Sequence, residues 1–302
     1  MSTAATSTAE TPPYQNRRAA VEMTAASLAF ATMSCIAHAY SNILAWPLVG
    51  FSRIAITLAI VCVMLRWYRV PFIFFAPREL WARSLCGCVG LVCTFYAITH
   101  LPVTDQVTIA ATGPIWVTII LAVLFKRRIS ASAWFHSILA LAGVYVMYRP
   151  TFSAESFPIF VMLFGAIAFA GAMVSLSFCG PINSLSVVAH FSLVASCVTL
   201  ILCVFSPGPI ILNPEISPWI VFGLIPMGIA GTLGQILITF AYGRGNPTMV
   251  ALTGISQIAF AALYDLAVWG YTFDLWKIIG VLMIAAAIAL SIITNAKPAR
   301  EG

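Results

Sequence analysis

Apolar runs of about twenty residues, separated by short polar breaks, repeat along almost the whole chain. A helix needs about 20 apolar residues to cross the hydrocarbon core of a bilayer. Continuous runs of this length predict an all-α polytopic membrane protein with ten transmembrane helices. A membrane β-barrel would instead show segments of about ten alternating residues. The predicted spans are 20–40, 44–66, 79–99, 104–125, 130–149, 157–178, 183–205, 217–242, 247–269 and 274–294.

Charged residues make up only 8% of the 302 residues, against about 25% in a typical soluble domain. Ten spans leave about 100 residues for loops and tails, so kinase, nuclease and dinucleotide-binding domains are disfavoured. The sequence contains no phosphate-binding glycine loop, zinc-protease motif or serine-hydrolase motif. We therefore expect no enzymatic activity, no cofactor and no metal site. The eight cysteines all lie in apolar runs, where packing is their ordinary role.

Lysine and arginine fall mainly on one side of the predicted helices. Cytoplasmic loops carry the excess of these residues, so both termini are predicted to be cytoplasmic, in the inner or plasma membrane. Arg149 and Lys277 then lie outside, and Arg53 lies within the second span. The basic residues assigned to the cytoplasmic side are Arg17, Arg18, Arg66, Arg69, Arg78, Arg83, Lys126, Arg127, Arg128, Arg244, Lys297 and Arg300. The net charge of +6 is thus a signal of topology, and we expect no nucleic-acid partner.

Short matches between the two halves of the chain indicate an internal repeat. Thr94-Phe95 and Pro102 match Thr239-Phe240 and Pro247 at one common offset. A unit of five helices crosses the membrane an odd number of times, so its second copy is inverted, as in many secondary transporters. The predicted organisation is a disordered tail over 1–18, repeats over 19–150 and 151–295, and a tail over 296–302.

Spans three and four contain the segment FYAITHLPVTDQVTIAATGPIWVTIILAVLFKRRIS, which resembles the drug/metabolite transporter superfamily in its ten-helix EamA-like branch. The matching positions are Tyr96-Ala97, Leu101-Pro102, Asp105, Gly113-Pro114 and Lys126-Arg127-Arg128. Phe51-Ser52-Arg53 resembles the aromatic-x-Arg of the family's second helix, and spans eight to ten resemble its second repeat. The resemblance implies a ten-helix transporter and leaves the substrate open. Asp265 departs from the pattern, because the family often has glycine there.

Polar side chains inside membrane spans are costly, which makes them candidates for a site. The amides of Gln235 and Gln257 need hydrogen-bond partners, and Pro114 is expected to kink span four next to Thr112. Arg53 is a candidate anchor for a substrate carboxylate, with pairing inside the bundle or snorkelling outward as the alternatives. The predicted substrate-binding residues are Tyr96, Thr112, Trp116, Gln235, Gln257, His38 and Arg53.

Two acidic residues fall within the predicted spans. Asp265 in span nine is either a proton-coupling carboxylate, protonated for part of the cycle, or a solvated residue near the outer interface. Asp105 opens span four, where an acidic side chain caps a helix and complements its dipole. We predict that Asp265 is the coupling residue and that Asp105 is structural.

These features together predict a secondary transporter that moves a small organic solute by alternating access. Export of an amino-acid-like or amphiphilic metabolite or a drug is favoured, with uptake of a nucleoside-like or vitamin-like metabolite as the alternative. An intramembrane enzyme and a non-transporting scaffold are more distant alternatives. A channel is disfavoured because no charge ring or carbonyl filter motif is visible. The expected partners are the lipid bilayer and a small-molecule substrate, with the protein a monomer or a homodimer.

Overall fold

The computed structural model describes residues 13–40, 43–75, 77–101, 103–149, 156–180, 182–205, 222–270 and 274–296. Within these ranges, ten helical spans are long and apolar enough to cross a membrane. The predicted all-α polytopic fold is confirmed. The helices in chain order are α1 (Pro13–Ala39), α2 (Trp46–Trp67), α3 (Arg78–His100), α4 (Val103–Ala110), α5 (Gly113–Val123), α6 (Ala131–Tyr148), α7 (Ser156–Ser177), α8 (Ser184–Val204), α9 (Leu224–Arg244), α10 (Pro247–Gly254), α11 (Ser256–Trp269) and α12 (Leu275–Ala296).

The first helix begins at Pro13, although the predicted disordered tail extends to residue 18. The side-chain amide of Asn16 donates to the carbonyl of Asn295 (3.1 Å), and its oxygen accepts from the backbone N–H of Asn246 (2.9 Å). These bonds hold the start of α1 against α12 and the start of α10. They also bring Pro13 and Ala296 to one end of the bundle, here called the terminal end. The rest of the two predicted tails, 1–12 and 297–302, lies outside the described residues.

The fourth span is interrupted where the sequence predicts a kink. α4 ends at Ala110, and α5 begins at Gly113 with Pro114 in its first turn. Proline has no N–H to donate to the carbonyl four residues earlier, so the regular helical bonding stops here. The prediction of a proline-induced break in this span is confirmed.

The ninth span is interrupted as well, without a proline. α10 ends at Gly254, and α11 begins at Ser256. The hydroxyl of Ser27 in α1 donates to the carbonyl of Gly254 over 3.4 Å. A side chain of a neighbouring helix therefore satisfies a carbonyl that the break has freed, as membrane interiors require.

The helices pack in pairs that correspond between the two halves of the bundle. α3 packs along α7, and α1 packs along α9 in the same way. α2 contacts α9 as α8 contacts α3, while α2 with α8 and α6 with α12 each join equivalent helices. Each span of the first half has an equivalent five spans later in the second half. If every helix is replaced by its equivalent, the pair α3–α7 becomes α9–α1, the pair α2–α9 becomes α8–α3, and the other two pairs stay the same.

The crossing of α6 and α12 is built on two glycines. A Cβ on Gly143 would lie 2.9 Å from the carbonyl oxygen of Gly280, and one on Gly280 would lie 2.6 Å from that of Gly143. The two backbones are therefore in direct contact, a role that small residues commonly serve between membrane helices.

Candidate functional site

The two helix interruptions lie in the same part of the bundle. Ala111, next to the first break, and Ile255, at the second, belong to one buried apolar cluster together with residues of α6 and α12. Two of the predicted site residues lie at these breaks. Thr112 directly precedes α5, and Gln257 is the second residue of α11 and half-buried.

The side chains of Thr112 and Trp116 are joined across the first turn of α5. The Thr112 hydroxyl donates to the carbonyl of Ile109 (2.6 Å) and accepts from Nε1 of Trp116 (2.9 Å). The Trp116 ring packs against the large buried cluster to which α1, α7, α9 and α10 contribute most of the residues. The indole is thus held at the break by one hydrogen bond and by its apolar contacts.

Gln235 lies on the buried face of α9 with 6% of its surface exposed. Its Nε2 has no hydrogen-bond partner among the described residues. A buried amide without a partner costs about 1–3 kcal/mol. Gln235 is therefore a group that a polar ligand would satisfy.

Arg53 belongs to α2, and its side chain contacts α1 and α9. Its guanidinium carbon is 5.7 Å from the ring centroid of Phe30, and its Nε lies 3.1 Å from where a Cβ on Gly231 would be. The Nε is buried and unpartnered in the described part of the chain. Arg53 forms no ion pair with another described residue. Among these residues, nothing supports the alternative that its charge is paired inside the bundle.

Arg83, one of the basic residues that the sequence assigns to the cytoplasmic side, is a second buried cation. It lies in α3 with 1% of its surface exposed, and its guanidinium carbon is 4.4 Å from the ring centroid of Phe191. Its Nε and Nη1 have no hydrogen-bond partner within the described ranges. An arginine near a helix end ordinarily snorkels to water, and Arg83 does not. The guanidinium lies against Gly87, one turn further along α3, a contact that the sequence alone does not reveal.

The surroundings of Arg83 come from three other helical segments. Phe191 belongs to α8, Tyr242 belongs to α9, and Cys179 follows α7. Tyr242 and Cys179 lie close enough to interact electrostatically with the guanidinium. Burial raises the pKa of the Cys179 thiol to about 11, and the positive charge of Arg83 acts in the opposite direction. The guanidinium is therefore enclosed by the interior of the bundle.

Tyr96 and His38 lie nearer to the end of the bundle opposite to the terminal end. Tyr96 stacks on His100 with ring centroids 4.0 Å apart and meets Phe157 edge-on at 6.3 Å. His38 is exposed in the last turn of α1. The predicted site residues thus occupy different depths, with Thr112 and Trp116 deeper than Tyr96 and His38.

The two acidic candidates lie on helices that belong to the interrupted spans. Asp105 is in α4 and Asp265 is in α11. Their side chains lie outside the described part of the structure, so the capping role of Asp105 and the coupling role of Asp265 stay predictions.

The chain matches no protein-family model. It is 28% identical over 273 residues to the pseudopaline exporter CntI of Pseudomonas aeruginosa, covering 88% of this chain and 93% of that protein. A solved crystal structure superimposes with a TM-score of 0.78 at 16% identity, covering 92% of this chain and 99% of the other. This chain therefore has the same fold as that structure. A probable transport protein of Saccharomyces cerevisiae is 22% identical over 78% of this chain and 74% of its own length. Both of these relatives carry transport names and match this chain over most of its length.

Proposed function

We propose that the protein is a secondary transporter that exports a small organic solute by alternating access. The observation that carries the proposal is the interruption of two spans whose breaks meet at one buried cluster. Discontinuous helices near the middle of the membrane supply free backbone groups, which transporters use to bind substrates and ions. Similarity to an exporter over most of the chain supports export over uptake. It also makes an intramembrane enzyme less favoured.

The family and the repeat organisation belong to the same proposal. We place the chain in the drug/metabolite transporter superfamily, with inverted repeats over 19–150 and 151–295. The exchange of the pairs α3–α7 and α1–α9 between the halves supports this organisation. Rocking of one half against the other about the buried breaks would then expose the solute to each side in turn.

The proposed solute is amino-acid-like or amphiphilic. Trp116 offers an aromatic surface beside the first break, and Gln235 and Gln257 offer amide groups at the buried face of α9 and at the second break. The guanidinium of Arg53 suits a carboxylate. Tyr96 and His38, nearer to the opposite end, would contact the solute on its way to release.

The proposal is tested by comparing small molecules in the medium of bacterial cells that express the protein with those of cells carrying an empty vector, using mass spectrometry. We expect at least one small organic solute to accumulate outside the expressing cells. Gln235→Leu, which keeps the size of the side chain and removes its amide, is expected to reduce the accumulation. Gly243→Ala is the matched control, because it lies exposed on the same helix and its added Cβ meets nothing within 4 Å. Equal media in both cultures would contradict the transport function, and depletion of a solute would favour uptake.

The orientation is a separate part of the proposal. We place the terminal end, and hence both termini, in the cytoplasm of a cell with an inner or plasma membrane. A green fluorescent protein fused after Gly302 should fluoresce, and alkaline phosphatase fused at the same place should be inactive. Active phosphatase at this position would reverse the orientation.

A further inference from the structure

We infer that Arg83 is an anion-binding residue inside the bundle and that it holds the carboxylate of the transported solute. Only the second part of this inference rests on the proposed transport function. The first part concerns binding alone and is tested separately.

The direction of the Arg83 side chain is the first argument. Helical side chains usually lean toward the helix N-terminus, which for α3 is the terminal end. Arg83 instead lies against Gly87 and Phe191. Phe191 is seven residues from the start of α8, which is about 10 Å into the bundle. The cation therefore reaches inward, although water at the nearest end is one helical turn away.

The absence of an ion pair with Glu79 is the second argument. Glu79 lies four residues before Arg83 on the same helix, the order and spacing that favour a glutamate–arginine ion pair. Glu79 is exposed, and the described residues show no ion pair between Glu79 and Arg83, although Glu22 pairs with Arg18 and Arg244. Arg83 thus does not pair with the carboxylate one turn away on its own helix, and its charge stays in the interior.

The chemistry of the enclosure is the third argument. Removing a guanidinium from water is expensive unless it is paired, and charges inside membrane bundles usually mark substrate pathways. The face of Phe191 compensates part of this cost by a cation–π contact. This contact leaves Nε and Nη1 of Arg83 without acceptors among the described residues. A carboxylate is the small organic anion that matches the planar donors of arginine.

The test uses benzoate as the probe, since it joins a carboxylate to a small aromatic ring, and benzamide as its uncharged counterpart. Thermal unfolding of the purified full chain in detergent is measured over a concentration series at constant ionic strength. We expect benzoate to raise the unfolding temperature saturably, as a ligand of the folded state does, and benzamide not to. Arg83→Gln should weaken the apparent affinity for benzoate about tenfold or more, because charge-assisted hydrogen bonds are lost. Arg78→Gln, which removes an exposed arginine from the same helix, is the matched control.

Ligand-free unfolding separates binding from a structural role. A buried charge without a partner destabilises the fold, so Arg83→Gln should unfold at the same temperature as the wild type or at a higher one. A structural role would lower this temperature. If the glutamine variant does not fold, Arg83→Lys replaces it: lysine keeps the charge but not the planar donors, so its affinity for benzoate should fall below that of the wild type, and an unchanged affinity would count against the inference.

Three results would overturn the inference: no saturable response to benzoate, an equal response to benzamide, or an undiminished response in Arg83→Gln. A response lost in Arg53→Gln but kept in Arg83→Gln would likewise assign the anion to the other cation. Benzoate binding that depends on Arg83, in a protein that exports nothing, would count against the transport function alone.

Discussion

Trp116 donates a hydrogen bond from its indole Nε1 to Oγ1 of Thr112 over 2.9 Å, and the two residues lie on either side of Pro114. The same hydroxyl donates to the carbonyl of Ile109. Thr112 therefore connects the end of α4 with a side chain of α5. One hydroxyl group thus bridges the break and binds the indole.

Thr112→Val should uncouple the indole from the break. Valine keeps the shape of threonine but removes the acceptor, so the half-buried indole N–H loses its partner at a cost of about 1–3 kcal/mol. Thr112→Ser keeps the hydroxyl and is the control. Thermal unfolding and solute export are the measurements. We expect Thr112→Val to export less solute than Thr112→Ser. Equal export by the two variants would show that the hydroxyl has no role in transport.

Gly143→Ala should separate α6 from α12. The added Cβ would lie 2.9 Å from the backbone oxygen of Gly280, which cannot move away without shifting a helix. Overpacking of this kind costs about 1–3 kcal/mol, and thermal unfolding measures it. Gly243→Ala, at an open position of α9, is the control and should be neutral or stabilising by up to about 1 kcal/mol. Equal unfolding temperatures for the two variants would contradict the close crossing.

The spans could be predicted from the sequence because each one has to provide its own apolar length. α6 begins one residue from its predicted start, and α12 begins one residue from its own. The break at Pro114 could be predicted because proline carries the cause in its own ring. The break at Gly254 could not, since its carbonyl is satisfied by Ser27 from a distant part of the chain. For the same reason the helical start at Pro13 was not predictable, because Asn16 finds its partners at Asn246 and Asn295.

Glu22 joins α1 to α9 by accepting from Nη1 of Arg244, and it also accepts from Nε of Arg18. The Glu22 side chain is 11% exposed, that of Arg244 is 35% exposed, and that of Arg18 is 67% exposed. Coupling between ion-pair partners falls with exposure. A double-mutant cycle on Glu22→Gln and Arg244→Gln should therefore give a coupling free energy of about 1–2 kcal/mol, read from unfolding.

The Glu22→Gln and Arg18→Gln cycle is the matched control, with an expected coupling of at most about 0.5 kcal/mol, because Arg18 is exposed and lies one turn from Glu22 on the same helix. A larger coupling to Arg18 than to Arg244 would show that Glu22 stabilises α1 itself and not its contact with α9.

The candidate site could be predicted from the sequence only in part, for a physical reason. Thr112 could be linked to the first break because Pro114 beside it carries the cause of that break. Gln257 could be proposed only as an amide inside an apolar span, since the second break was not predictable. Arg83 could not be recognised, because its type and its place in the chain are those of an ordinary membrane-end arginine. Only the packing of Gly87 and Phe191 around it distinguishes an inward side chain from an outward one.

Asp265→Asn should abolish the response of transport to a pH gradient. If Asp265 takes up and releases a proton in each cycle, asparagine fixes the side chain in a state like the protonated one, and a proton gradient can no longer drive flux. The measurement is flux of the exported solute in proteoliposomes with and without a pH gradient. Asp274→Asn is the control, because Asp274 is exposed and caps α12 by accepting from the N–H of Lys277 (2.8 Å), a role that asparagine retains. An unchanged pH response in Asp265→Asn would remove Asp265 from the coupling step and favour its solvated alternative.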